Sequence, residues 1–302
     1  MSTRPQARDR GFGGAALGLL LRGLGRLPAP ARQALAAVLR WPGRWLLRRR
    51  WRVAAENLDR CFPGETPALQ AARLQAHQQA FWTALLDLPR AWFAAPGRLA
   101  AEARIEGLQH LHEAEREGQG VLLLTGHLLH TEPGVRALVE ALGAPIGIVV
   151  RRHDRHPIIE RQVDAARRAR LGPTFGKFET RGLLRHLRAG GRLVYLADQD
   201  FREAPAFVPF FGLPAATFAG IPDLLHAGHA RLIFLAVRRE ADGHYRIRLE
   251  PAGQAPPVQE RQAFAAAYMA WLEAAVRLAP AQYLWLHRRF KTRPEPTTRH
   301  VQ

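Results

Sequence analysis

The sequence predicts an α/β fold with a mostly buried sheet flanked by helices. Four short apolar runs, Val121–Thr125 (VLLLT), Ile146–Val150 (IGIVV), Leu193–Ala197 (LVYLA) and Leu232–Val237 (LIFLAV), lack the alternation of a half-exposed strand. Helical patterns fall between them, around residues 132–142, 156–170, 179–189 and 215–228. Buried strands separated by helices indicate crossover connections. The chain is 302 residues long, 47% hydrophobic and 23% charged, enough to bury a substantial core without staples.

From the N-terminus, Gly11–Leu21 is uncharged and apolar but ends after eleven residues at Arg22. A membrane span needs about 20 such residues, and no small-residue cleavage pattern of a secretory signal follows. Leucines, Trp41 and Trp45 then alternate with Arg22, Arg26, Arg32, Arg40, Arg44 and Arg48, and Arg48–Arg52 closes the stretch with a polybasic run. An apolar anchor beside a basic cluster predicts a membrane-associated helical segment over residues 1–55. The competing reading is an amphipathic helix packed on its own domain. Cys61–Pro67 (CFPGETP) reads as a turn, and residues 56–302 are expected to form the second unit. Pro67–Phe93 carries a helical pattern with Leu69, Leu74, Phe81, Leu85, Leu88 and Trp92. Ala204–Pro222 is uncharged, but Pro205, Pro209, Pro214 and Pro222 break it into a buried loop and short elements. Five apolar residues there, Phe207, Phe210, Phe211, Leu213 and Phe218, are candidates for lining a slot for an apolar chain, or for ordinary core. His244–Glu250 alternates as a half-exposed strand, and Glu260–Leu278 is a final long helix.

Composition excludes several chemistries. Ser2 is the only serine and no G-x-S-x-G elbow exists, so a serine nucleophile has no plausible place. Cys61 is the only cysteine, which excludes internal disulfides and multi-cysteine metal sites; in its turn context it reads as a packed thiol. The net charge of +18 predicts attraction to polyanions: nucleic acid, anionic lipid or an acidic carrier protein.

Chemistry in an open α/β sheet collects at the carboxyl edge of the strands. Two strand ends there are polar, Gly126-His127-Leu128-Leu129-His130-Thr131-Glu132 and Asp198-Gln199-Asp200. A neutral His127 can take a proton from a hydroxyl, and a carboxylate on its other nitrogen would fix its tautomer. With no usable serine, that hydroxyl belongs to the substrate, which describes acyl transfer to an alcohol. On a regular helix His127 and Glu132 would lie about 140° apart. The pair therefore requires His127 in the turn before the helix, within hydrogen-bond reach of Glu132, with Gly126 supplying the unusual backbone angles. A metal set of His127, His130 and Glu132 with Asp198 or Asp200 competes, but it lacks the glutamate base of H-E-x-x-H.

Gly126–Glu132 resembles the H-x4-[DE] box of glycerophosphate-type acyltransferases. Gln282–Pro294 (QYLWLHRRFKTRP), Phe207–Gly212 (FVPFFG) and Arg52–Pro63 resemble, more specifically, blocks of the lipid A late acyltransferases, the lauroyl- and myristoyltransferase family. This resemblance implies a glycerophosphate-acyltransferase-like α/β domain over residues 56–302 and no cofactor. It implies transfer of a fatty acyl chain from acyl carrier protein to a hydroxyl on a 3-hydroxyacyl chain of a lipid A precursor. The implied place is the cytoplasmic face of the inner membrane. The implied acceptor carries phosphates and usually sugar carboxylates. By resemblance His127 is the base and Glu132 its partner, while Arg167 (with Arg168 and Arg170 as alternative registers), Arg152 and Asp198 match positions expected to bind substrate. The alternatives are a basic nucleic-acid-binding protein, for which no motif appears, and a non-catalytic membrane-surface protein.

Overall fold

The computed structural model describes residues 12–150, 157–252 and 260–294. Four helices open the chain: α1 (Phe12–Arg26), α2 (Ala29–Leu46), α3 (Arg48–Cys61) and α4 (Pro67–Phe93). The α4 helix starts where the sequence places it. Thr66 caps it by accepting from the Leu69 amide, and Pro67 occupies the first turn, where a missing N–H costs nothing.

The first helices are fastened to the body of the protein. Arg32 of α2 donates to Asp87 of α4 at 2.8 Å, both fully buried. Gly43 of α2 lies against Trp82: an added Cβ would sit 2.1 Å from the Trp82 ring. The expected boundary at residue 55 falls inside α3, whose Trp51, Val53, Ala54, Asn57, Leu58 and Cys61 are buried. Burial pushes the Cys61 thiol up to about 12, so it stays protonated as packed core. No helix among the described residues is long and apolar enough to cross a membrane.

After α5 (Arg98–Ala101) come β1 (Ala103–Glu106), α6 (Gln109–Arg116), β2 (Gly120–Thr125), α7 (Thr131–Leu142) and β3 (Gly147–Val150). Then follow α8 (Pro157–Arg170), β4 (Thr174–Gly176), α9 (Thr180–Arg188) and β5 (Arg192–Leu196). The chain continues through β6 (Ala206–Phe210), β7 (Leu213–Thr217), α10 (Ile221–Gly228), β8 (Ala230–Arg239), β9 (Tyr245–Pro251) and α11 (Arg261–Leu278). Seven strands form one sheet in the order β1-β9-β8-β2-β5-β3-β4, parallel except for β8 against β9. Side chains on β2 alternate between two cores. Leu122 and Leu124 pack with α11 residues such as Tyr268 and Leu272, while Val121 and Leu123 pack with Val135 and Leu138 of α7.

The structure corrects the helical reading of 215–228. Its first residues belong to β7, and the helix begins at Ile221. Strands β6 and β7 form a separate antiparallel hairpin, turned by Phe211 and Gly212 at φ 52° and 74°. Such a two-residue loop with both φ positive matches the twist of its strands, and an isolated ribbon tolerates the opposed Pro209 and Pro214.

Two buried histidines make the fold acid-sensitive. His77 Nδ1 of α4 donates to Ala281 O at 2.9 Å, and His130 lies 3.8 Å from Asp87, beside Arg239 and Tyr245. Burial lowers both to about 4. The unfolded chain binds these protons near the ordinary histidine value of 6.5, so stability is lost as pH falls from there toward 4. Each histidine contributes a loss of about 3 kcal/mol across that window. Thermal denaturation at stepped pH should show the midpoint falling through this window, with a shallower slope in His77→Leu. An identical slope in that variant would contradict this origin.

Candidate active site

The site is built where two neighbouring parallel strands end. β2 and β5 pair with Thr125 opposite Leu196, so the residues two beyond each strand, His127 and Asp198, come side by side. His127 Nδ1 is 2.6 Å from Asp198 Oδ1, and the His127 amide donates to Oδ2 at 3.0 Å. Tyr283 Oη donates to the same Oδ2 at 2.8 Å. Asp198 is 1% exposed. Burial alone would raise its carboxyl, but the interaction with His127 and the hydrogen bonds from His127 and Tyr283 hold it well below the usual carboxylate range. Burial and the Asp198 charge push the Tyr283 hydroxyl well up, so it remains a donor.

His127 lies in the turn before α7, off the regular helix as expected. The reason attached to Gly126 is corrected. Its φ is not positive; a Cβ there would meet Leu272 Cδ1 at 2.5 Å and Asp198 Cγ at 3.3 Å. Glycine is needed for close approach rather than for backbone angle. The turn is clamped by the C-terminal segment: Leu129 N donates to Gln282 O at 2.8 Å and Leu284 N to His127 O at 3.0 Å.

The hydrogen bond expected between His127 and Glu132 is not the one the structure makes. Glu132, in the first turn of α7, receives Arg167 of α8 in a bidentate pair at 2.7 and 2.9 Å, and also the Trp92 indole N–H. The parallel register brings Asp198 to the imidazole, and the helical turn carries Glu132 away from it. Arg167, expected to bind substrate, spends its guanidinium on Glu132. Asp198, expected to do the same, is buried behind His127. Arg152 lies outside the described residues. His130 is turned into the protein toward Asp87, so the candidate metal set of His127, His130 and Glu132 does not converge.

Nε2 of His127 faces a cavity of about 230 Å³ at the carboxyl edge of the sheet. Val150, Tyr195, Gln199, Phe201, Phe218 and Lys177 are among its walls. Gln199 Nε2 is 2.9 Å from His127 Nε2. Phe218 stacks on Tyr195 at 5.9 Å and meets Phe201 at 5.0 Å. Of the five candidate slot residues only Phe218 lines this cavity; Phe210 and Phe211 are core, at 0% and 7% exposure. Burial beside the site lowers His287 to about 4, leaving a neutral second imidazole.

Residues 12–292 match the family model of the bacterial lipid A biosynthesis acyltransferases. The chain belongs to that family. It is 31% identical over 273 residues to the lipid A biosynthesis palmitoleoyltransferase of Escherichia coli (strain K12), covering 89% of this chain and 88% of that protein. It is 29% identical, over the same shares, to the lauroyltransferase of the same strain. A lipid A biosynthesis acyltransferase of Haemophilus influenzae is 30% identical over 254 residues, 83% of this chain and 80% of the relative. This lipid A acyltransferase therefore carries its family match across α1–α11, the C-terminal clamp included. Tyr283 and Gln199 escaped the sequence reading as site residues. The signal for Tyr283 was present, since the C-terminal block that carries the family resemblance contains it. Gln199 sits between two aspartates at a strand end but has no spacing signature of its own.

Proposed function

We propose that the protein moves a fatty acyl chain from acyl carrier protein to a hydroxyl of a 3-hydroxyacyl chain on a lipid A precursor, at the cytoplasmic face of the inner membrane. The observation that carries this is His127, with Nδ1 on a buried carboxylate and Nε2 at a cavity, in a lipid A acyltransferase. Asp198 accepts from Nδ1–H, which leaves the lone pair on Nε2. Gln199 donates to that lone pair, and the acceptor hydroxyl takes its place. Its proton passes to Nε2 as its oxygen bonds to the thioester carbonyl carbon. Collapse of the tetrahedral adduct breaks the C–S bond, and the imidazolium returns the proton to the departing thiolate. Gln199 and Lys177, both lining the cavity, are donors available to the oxyanion. Glu132 acts through Arg167, holding that cation at the junction of α7 and α8.

The test is product mass. Acyl carrier protein thioester with a lipid A precursor should give an acceptor heavier by one acyl chain. Free fatty acid without ATP should give none, because a free carboxylate is a poor acyl donor. Equal product from both donors would overturn the proposed chemistry.

Attachment to the membrane falls to residues 1–55. On α2, Val38, Trp41, Trp45 and Leu46 are 66, 73, 74 and 81% exposed, beside Arg44, Arg48, Arg49 and Arg52 at the surface. Rings at headgroup depth and guanidinium groups on phosphates suit a bilayer surface. Trp41→Ser with Trp45→Ser should weaken sedimentation with anionic vesicles by about tenfold or more. High salt alone should leave part of the intact protein bound, because screening spares apolar burial. Full release of the intact protein by salt would reject a hydrophobic anchor.

A further inference from the structure

A second cavity of about 230 Å³ lies between α3 and the C-terminal segment. Arg60, Arg288, Lys291 and Arg293 line it, with Glu56 as the sole acid in its wall. On the exposed edge of the sheet, by contrast, arginines are matched with acids. Arg104 pairs with Glu240 and Asp242, Arg246 with Glu106 and Glu240, and Arg248 with Glu106 and Glu250. Among the described residues, none of the four cavity cations has an ion-pair partner. Four cations against one carboxylate in a concave space leave a charge that an anion from outside would neutralise.

The cavity is built rather than incidental. Asn57, 5% exposed and the only asparagine in the chain, donates its side-chain amide to Trp285 O and to His287 O, each at 2.8 Å. These two bonds fix the C-terminal segment as one wall against α3. The same segment reaches the catalytic groups. Tyr283 holds Asp198, and Thr292 Oγ1 donates to Asp200 at 2.8 Å, next to Gln199. A ligand held in the basic cavity is thereby placed relative to His127 through one rigid strap.

We propose that this cavity binds a phosphate group of the acyl acceptor; the inference rests on the function proposed above. A small concave site with three arginines suits a phosphate, which guanidinium forks grip with paired hydrogen bonds. The broad acidic face of a carrier protein would instead call for an open patch. The glycolipid is favoured too by continuity with the bilayer face, since α3 follows directly from the exposed aromatic face of α2. The cavity would orient the acceptor and set its apparent affinity, leaving the proton transfer at His127 untouched.

The experiment compares Arg60→Gln/Arg288→Gln/Arg293→Gln with a charge-matched control, Arg116→Gln/Arg181→Gln/Arg185→Gln, whose exposed residues lie outside the cavity. The cavity variant should raise KM for phosphorylated acceptor by about tenfold or more. Its kcat and its KM for the acyl donor should stay within about twofold. Enzymatic removal of the acceptor phosphates should raise the wild-type KM similarly and abolish the difference between wild type and variant. Equal effects in the charge-matched control, a rise in donor KM instead of acceptor KM, or wild-type KM for dephosphorylated acceptor would each overturn the proposal. If the wild type transfers no acyl chain at all, the proposed function fails. The cavity is then judged by binding to phosphatidylcholine vesicles carrying phosphorylated or dephosphorylated lipid A. There, only the cavity variant should lose the preference for phosphate, and a retained preference would overturn the site.

Discussion

Replacing His127 with alanine is expected to remove nearly all acyl transfer and leave a folded protein. In the proposed mechanism the imidazole both receives the hydroxyl proton and passes it to the leaving thiolate, so the loss should reach about 10²- to 10⁴-fold in kcat. Stability should change little, because the turn does not depend on the ring. Its clamp is made of backbone bonds from Leu129 to Gln282 and from Leu284 to His127. Asp198 would keep two donors, the residue 127 amide and Tyr283. Steady-state turnover beside a thermal melt checks both halves. Near-normal turnover in a folded His127→Ala protein would sink the mechanism.

Asp198→Asn should cost a comparable factor, about 10³- to 10⁴-fold in kcat, by analogy with triads whose carboxylate becomes an amide. An asparagine can still accept from the backbone amide and Tyr283. It then turns its NH₂ toward Nδ1, which can only accept, so the ring proton moves to Nε2 and the base is lost. KM for the acceptor should change little, since Asp198 is buried behind the imidazole. Glu132→Gln should slow the enzyme by a different route, loosening Arg167 without altering the tautomer of His127. Equal tautomer shifts in both variants would contradict this division of roles.

Much of this site was legible in the sequence. Four uninterrupted apolar runs placed the central strands, and the two polar strand ends marked the edge where chemistry sits. What escaped was pairing. That β2 and β5 are adjacent, in the register that sets Thr125 against Leu196, is a long-range fact, and it decides that Asp198 rather than Glu132 meets His127. The short spacing from His127 to Glu132 was the more visible signal and pointed to the wrong hydrogen bond. β1 and β4, four and three residues long, carry too little periodicity to be seen. β7 overlaps the stretch patterned as helix because Pro214 hides a strand, which a hairpin outside the main sheet tolerates. Gly126 was read as a backbone device, whereas Leu272 and Asp198 simply leave no room for a side chain.

The claim that Asp198 holds His127 ready as a base is tested most directly by nitrogen-15 NMR of the full chain labelled at histidine, with His127 assigned by its loss in His127→Ala. At a pH where the ring is neutral, the proton should be on Nδ1 and Nε2 should be bare, and Asp198→Asn should reverse this. A wild-type His127 protonated on Nε2, or an Asp198→Asn protein with the proton still on Nδ1, would contradict the account.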